Sequence, residues 1–160
     1  MSRKQKTALQ IAGILLCYLI LGVISYFIGS GLAKTFLGAG GTSHAAWVKG
    51  YADLVTAMAV FSGVSTLGWY FLARFGLTIT GPFGVGRRTI WAVLGAINLL
   101  GCLAVPALFF GRLEKNFTIY LLFLVLFGLV GYYGCSLLAA PANYKYTPPG
   151  AKQFLAPRAK

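Results

Sequence analysis

Acidic residues and histidine are almost absent from this sequence. Its 160 residues include two acids, Asp53 and Glu114, and one histidine, His44. General acid–base catalysis and metal binding both depend on carboxylates and imidazoles that lie close together. So few of these groups exclude most classes of enzyme. We therefore expect a chain that has no catalytic residues, binds no metal and needs no cofactor.

Charged residues of either sign are also scarce. They make up 10% of the chain, whereas a typical soluble domain contains about 25%. Hydrophobic residues account for 58% of the chain, and the mean hydropathy is +0.78. A sequence this rich in aromatic and aliphatic residues is not that of a disordered chain. The composition indicates an integral membrane protein.

Four long apolar runs cover most of the chain, at 8–33, 51–73, 89–111 and 117–140. A helix that crosses a hydrocarbon core of about 30 Å needs about 20 mostly apolar residues. The runs do not alternate as the strands of a membrane barrel do. They predict an all-α, polytopic integral membrane protein with four transmembrane helices in an antiparallel bundle. Residues 1–7 would form a basic N-terminus, and residues 141–160 a Pro-rich basic tail.

The cationic residues are distributed unevenly between the two sides of this predicted bundle. Ten of the fourteen fall on one side, namely Arg3, Lys4, Lys6, Arg74, Arg87, Arg88, Lys145, Lys152, Arg158 and Lys160. The other side has four, which are Lys34, Lys49, Arg112 and Lys115. Cytoplasmic segments of membrane proteins carry an excess of Lys and Arg. Both termini are therefore predicted to be cytoplasmic, in what we expect to be a bacterial inner membrane.

Small and weakly polar residues recur at helical spacing in all four runs. Helices associate in lipid through small residues that allow close approach and through hydrogen bonds between polar side chains. We expect twelve residues to form these contacts: Gly22, Ser25, Gly29, Thr56, Gly63, Thr66, Gly95, Asn98, Cys102, Gly128, Gly131 and Cys135. The Leu and Phe residues of LLFLVLF, at 121–127, are expected to face lipid. Packing is the preferred explanation of these stripes, and a substrate path is the alternative.

Asp53 is the one acid inside an apolar run. An ionisable group at membrane depth is costly and usually has a role. The run begins at Tyr51, however, and a carboxylate in the first turn of a helix is stabilised by the free amides there. We interpret Asp53 as a capping residue or as a partner of Lys49 or Lys115. Coupling to an ion is the alternative.

Basic residues precede the third run and are frequent in the tail. Arg87 and Arg88 follow the sequence GPFGVG, which approaches a phosphate-binding loop but lacks its Lys and the preceding strand. We interpret these two arginines as contacts for anionic lipid headgroups or for a partner. The same interpretation applies to four residues of the tail, Lys145, Lys152, Arg158 and Lys160. Nucleic acid binding is not expected, because the aromatic residues lie in or beside the apolar runs rather than on a basic face.

Three classes of function are compatible with this plan. A non-enzymatic subunit of a larger membrane assembly, such as a secretion, conjugation or envelope complex, is preferred because the loops are short and no charge lies at mid-membrane. A small oligomeric transporter or channel is the alternative. A membrane enzyme that acts on lipid is least favoured, since one His and two acids cannot supply the usual catalytic sets. The expected partners are the lipid bilayer and other membrane subunits or further copies of this chain.

Overall fold

Each of the four apolar runs folds as a helix. The structure, a computed structural model, describes residues 3–36, 44–75, 87–110 and 117–139, all of which are helical. Helix α1 spans Arg3–Phe36, α2 spans His44–Phe75 and α3 spans Arg87–Phe110. The fourth helix consists of three consecutive segments. They are the α-helical Phe117–Phe123, the π-helical Leu124–Gly134 and the α-helical Cys135–Ala139.

All four helices are long and apolar enough to cross a membrane. The candidate spans contain 28, 29, 20 and 20 residues in chain order. At 1.5 Å per residue, the shortest of them covers about 30 Å, which is the thickness of a hydrocarbon core. The number, length and apolar character of these helices therefore confirm the prediction of an all-helical, multi-pass membrane protein.

Helix α2 begins seven residues before the apolar run that predicted it. Residues His44 to Gly50 are helical, although the apolar run begins only at Tyr51. This segment contains two alanines and no proline, so its backbone has no reason to leave the helix. The ring of Trp47 also stacks on that of Tyr51, with 5.1 Å between the ring centroids. Hydropathy marks where the apolar run starts, but the helix itself starts earlier in the chain.

Helix α2 and the fourth helix form the centre of the bundle. Each of them packs against α1 and α3 as well as against the other. Helices α1 and α3 make few or no contacts with one another. They consequently lie on opposite sides of the central pair, and α1 is the most exposed of the four candidate spans.

The outward faces of the helices carry large apolar side chains. Leu108 is 84% exposed, Phe27 is 68% exposed and Leu100 is 65% exposed. A soluble protein rarely exposes so large a continuous apolar surface, whereas lipid tails solvate one without cost. The surface of the described helices is thus the surface expected of a membrane-embedded bundle.

The middle of the fourth helix is a π-helix of eleven residues. Such helices are rare and are usually limited to a single turn. Here, Gly128, Gly131 and Gly134 lie within the segment, and an added Cβ atom at Gly128 or Gly131 would lie within 3 Å of a neighbouring side chain. At its end, the backbone N–H of Cys135 donates to the carbonyl oxygens of Gly131 and Tyr132. Hydropathy does not distinguish a π-helix from an α-helix, so the sequence predicted only a continuous helix here.

Candidate functional site

Most of the twelve residues predicted to pack between helices are found inside the bundle. Buried positions are Ser25, Gly29, Gly63, Thr66, Asn98, Cys102, Gly128, Gly131 and Cys135, and half-buried ones are Gly22 and Gly95. Thr56 is the exception, because it is exposed and its hydroxyl donates to the carbonyl oxygen of Ala52 at 2.9 Å. This bond lies within α2, and the packing of Thr56 against another helix stays a prediction.

Three tyrosines connect α1 to α2 by hydrogen bonds at three heights. The hydroxyl oxygens of Tyr18 and Thr66 lie 2.5 Å apart. Tyr70 donates to Oε1 of Gln10 at 2.9 Å. Tyr51 donates to the backbone oxygen of Ser25 at 3.0 Å, and its hydroxyl is also 3.3 Å from the Ser25 hydroxyl.

Glycines on both helices admit these tyrosine rings. The ring of Tyr51 occupies the place where a side chain on Gly29 would begin. The ring of Tyr18 likewise lies over Gly63, 3.7 Å from the position of an added Cβ atom. The stripe of small residues in α1 and α2 is therefore a surface on which aromatic side chains pack.

A second set of hydrogen bonds connects α3 to the fourth helix. Asn98 donates from Nδ2 to the backbone oxygen of Phe127 at 3.2 Å. The indole N–H of Trp91 donates to Ser136 at 3.0 Å, and the hydroxyl of Tyr132 donates to the backbone oxygen of Trp91 at 2.7 Å. All of these acceptors lie on or beside the π-helical segment or at the first turn of α3.

The two helix pairs meet through rings and small residues. Tyr18 of α1 stacks on Phe127 of the fourth helix, with 6.5 Å between centroids. A side chain on Gly131 would begin 2.9 Å from the Tyr18 ring, and the ring of Phe61 occupies the place of a side chain on Gly101. The hydrogen bonds described above all lie within a pair. The bundle is thus built as two polar-linked pairs whose mutual interface is mainly apolar.

A ladder of aromatic rings runs through this interface. Tyr51 packs on Phe123 at 6.0 Å, and Phe123 packs on Phe127 at 5.6 Å, measured between centroids. Together with Trp47 and Tyr18, these rings fill the centre of the bundle from one end of α2 to its middle. Phe123 and Phe127 are 0% exposed. The expectation that the Phe residues of LLFLVLF face lipid was therefore wrong.

Asp53 lies on the outside of α2. Because α2 begins at His44, Asp53 is in the third turn of the helix, and the first turn contains no acidic residue. The free amides lie in the first turn, so a residue in the third turn cannot cap them, and that interpretation of Asp53 was wrong. Its side chain is exposed. Lys115, one of the two predicted partners of Asp53, lies outside the described part of the chain. Lys49, in the same helix, is exposed too.

The three cysteines are free thiols inside or beside the core. Cys102 and Cys135 are buried and Cys17 is half-buried. The thiols of Cys17 and Cys135 lie next to each other, and that of Cys102 lies beside Ser62. Within the described helices, no three His, Cys, Asp or Glu side chains come together as a metal site requires.

The basic residues predicted to bind lipid or a partner lie at the ends of the described helices or beyond them. Arg87 and Arg88 are the first two residues of α3. Four others, Lys145, Lys152, Arg158 and Lys160, lie outside the described residues. Near the N-terminus, Lys4 and Lys6 are exposed on the first turns of α1. The roles of Arg87, Arg88 and the four tail residues in binding lipid or a partner remain predictions.

Three buried polar atoms make no hydrogen bond to an oxygen or nitrogen atom within the described part of the chain. They are the Ser62 hydroxyl oxygen, the Trp69 indole nitrogen and Oδ1 of Asn98. Sequence reasoning singled out Asn98 and missed the other two. Ser62 and Trp69 are seven residues apart, two helical turns along one face of α2. That spacing was visible in the sequence, but a lone Ser and a Trp in an apolar run do not stand out.

Comparison with known proteins identifies no family for this chain. The chain matches no protein-family model, and no characterised protein or solved structure matches it.

Proposed function

We propose that this chain is a non-enzymatic integral membrane subunit of a larger membrane protein assembly, such as a secretion, conjugation or envelope complex. In this proposal it forms an antiparallel four-helix bundle in a bacterial inner membrane, with both termini in the cytoplasm. The basic Pro-rich tail at 141–160 contacts an acidic partner or anionic lipid headgroups. The bundle itself contacts other subunits or further copies of the chain.

The observation that carries this proposal is the filling of the bundle centre. The buried polar residues of the described helices are Ser25, Ser62, Ser65, Thr66, Asn98 and Ser136, and none of them is charged. Aromatic rings occupy the space between the helix pairs. Proton and ion pathways through membrane proteins are usually marked by an ionisable residue in the interior. An interior of this kind suits a rigid structural unit.

The antiparallel arrangement is supported by the order of the contacts between helices. Along α1, the residues Gln10, Tyr18 and Ser25 contact Tyr70, Thr66 and Tyr51 of α2, so one series rises as the other falls. Along α3, Trp91 contacts Ser136 of the fourth helix and Asn98 contacts Phe127, so the residue numbers again run in opposite directions. The cytoplasmic location of the termini rests on the distribution of Lys and Arg.

The test is site-specific photo-crosslinking in native membranes. Four lipid-facing positions have matched exposure, one in each helix: Leu19 at 64%, Val64 at 63%, Leu100 at 65% and Leu129 at 60%. A photoreactive residue placed at each position in turn should link one face to a discrete second chain. That chain should also co-purify in fixed stoichiometry in mild detergent. Crosslinks to lipid alone from all four positions would contradict the proposal.

A small oligomeric transporter or channel is the second candidate. It is favoured by the three buried polar atoms that lack a hydrogen-bonded oxygen or nitrogen partner. Polar groups left in this state inside a membrane protein often belong to a path for a polar solute. In this case, crosslinking should yield a closed oligomer of this chain alone. The purified oligomer should then carry solute flux in liposomes, and a monomer without flux would contradict this candidate.

A further inference from the structure

Two fully buried polar side chains, one on α2 and one on α3, each have an oxygen atom that is not hydrogen-bonded to another oxygen or to a nitrogen. Ser62 and Asn98 are each 0% exposed. Neither the Ser62 hydroxyl oxygen nor Asn98 Oδ1 is hydrogen-bonded to an oxygen or nitrogen atom of the described helices, and the Ser62 hydroxyl has only the Cys102 thiol as a neighbour that can bond to it. A buried polar atom that is left dry costs about 1–3 kcal/mol. Two such atoms in one bundle call for a physical explanation.

Shared contacts place the two side chains within about one helical turn of each other along the bundle. Tyr18 is hydrogen-bonded to Thr66 of α2, and its ring stacks on Phe127 of the fourth helix. The backbone oxygen of Phe127 accepts the hydrogen bond from Asn98. Asn98 therefore lies near the height of Thr66, and Ser62 is one helical turn from Thr66.

Polar atoms of α2 and α3 lie close to each other in this part of the bundle, where the Cys102 thiol is next to Ser62. Asn98 uses Nδ2 to reach the backbone of the fourth helix, so its Oδ1 points away from that bond. Cys102 follows one turn later on the same face of α3, and its thiol lies beside Ser62. The same thiol lies 3.9 Å from where a side chain on Gly128 would begin. A thiol is a weak partner, which leaves the hydroxyl and the amide oxygen in need of a better one.

We propose that Ser62 and Asn98 bind a water molecule between α2 and α3. Water can donate one hydrogen to Asn98 Oδ1 and either donate to or accept from the Ser62 hydroxyl, with the Cys102 thiol as a third neighbour. Buried waters typically make two to four such bonds. The occupant is neutral, because the buried core of the described helices contains no charged side chain. The site does not depend on whether the chain is a subunit or a transporter.

The third buried polar atom does not belong to this site. The indole nitrogen of Trp69 lies seven residues from Ser62, about 10 Å along the helix axis at 1.5 Å per residue. A single water cannot bridge that distance. The site is therefore defined by Ser62 and Asn98, with Cys102 at its edge.

The test measures magnetisation transfer from water to the Asn98 side-chain amide by solid-state NMR. The full chain, with ¹⁵N-labelled Asn and Gln, is reconstituted in lipid vesicles, and the Asn98 signal is identified by its loss in Asn98→Leu. The half-buried side chain of Gln10 serves as the hydrated reference. A backbone-labelled sample, in which the fully buried Met58 amide is observed, serves as the dry reference. Water should transfer magnetisation to Asn98, and Ser62→Ala should abolish that transfer.

Ser65→Ala is the matched control for this experiment. Ser65 lies one turn from Ser62 in the same helix, and its hydroxyl donates to the backbone oxygen of Phe61 at 3.0 Å. The Ser65 variant should leave transfer to Asn98 unchanged. If Ser62→Ala does not insert, Ser62→Cys replaces the hydroxyl by a larger thiol that bonds water only weakly, and it should cause the same loss. Transfer to Asn98 no faster than to Met58, or transfer that survives both Ser62 variants, would overturn the proposal.

Discussion

The hydroxyl of Tyr18 in α1 is hydrogen-bonded to the hydroxyl of Thr66 in α2, with 2.5 Å between the two oxygens. Tyr18 is 4% exposed and Thr66 is 0% exposed. The Tyr18 ring also stacks on Phe127 and lies against Gly131 of the fourth helix. One side chain thus links the two halves of the bundle, by a polar bond on one side and by ring packing on the other.

Replacing Tyr18 by Phe should lower the free energy of unfolding by about 1 kcal/mol. The Thr66 hydroxyl loses its partner, while the ring contacts with the fourth helix are retained. Reversible unfolding of the detergent-solubilised chain would measure this change. Tyr26→Phe, in the same helix at a half-buried position, should change the stability by less than about 0.5 kcal/mol. Equal effects of the two substitutions would contradict the assigned role of Tyr18.

Replacing Gly131 by Ala should destabilise the bundle by about 1–3 kcal/mol, the usual cost of overpacking a core. The added methyl group would lie 2.9 Å from the Tyr18 ring and 3.2 Å from the backbone oxygen of Leu126. Gly134→Ala is the matched control, because nothing lies within 4 Å of an added Cβ atom there. Thermal unfolding in detergent would compare the two variants. A Gly131 variant as stable as the Gly134 variant would show that this contact is not close.

Replacing Asp53 by Asn should leave both stability and assembly unchanged. Asp53 is exposed in the third turn of α2 and does not cap the helix, and exposed substitutions usually change stability by less than about 0.5 kcal/mol. The measurements are the unfolding midpoint and the yield of the photo-crosslinked product. Solute flux in liposomes that disappears in this variant would instead support the transporter and an ion-coupling role for Asp53.

Deleting the chain after Pro141 should reduce recovery of the partner while membrane insertion persists. The deletion removes Lys145, Lys152, Arg158 and Lys160, and each cation near an anionic surface contributes about 1 kcal/mol. Quantitative co-purification from native membranes would measure the change. A variant with these four residues replaced by Gln keeps the length of the tail and tests charge alone. Undiminished recovery from both variants would contradict a docking role for the tail.

Some of the architecture could be predicted from the sequence because the bilayer imposes it. The hydrocarbon core requires about 20 apolar residues per crossing, so the four runs predict four helices, and the structure has four. The glycines and polar residues chosen as packing positions are mostly found between helices for a similar reason. Only small residues allow close approach, and unpaired polar side chains are costly in lipid.

The inward direction of the large apolar residues could not be predicted in this way. In water, apolar side chains turn inward, but lipid tails are as apolar as a protein core, so a Phe has no strong preference between them. Hydropathy therefore placed Phe123 and Phe127 in lipid, whereas both are fully buried. The spacing of small residues placed Thr56 between helices, whereas in this chain it is exposed and its hydroxyl bonds its own backbone.

The scarcity of charge in this sequence by itself determined that the chain is a set of apolar helices of membrane-spanning length. Only the tertiary structure decided which rings occupy the centre, that Asp53 lies outside, and that the fourth helix widens into a π-helix where Asn98 reaches the backbone of Phe127. The physical reason is that burial of apolar surface in the bilayer depends on the composition and length of each helix, and both can be read from the sequence. The pairing of hydrogen bonds and rings depends on which faces meet, which is decided only when the helices pack.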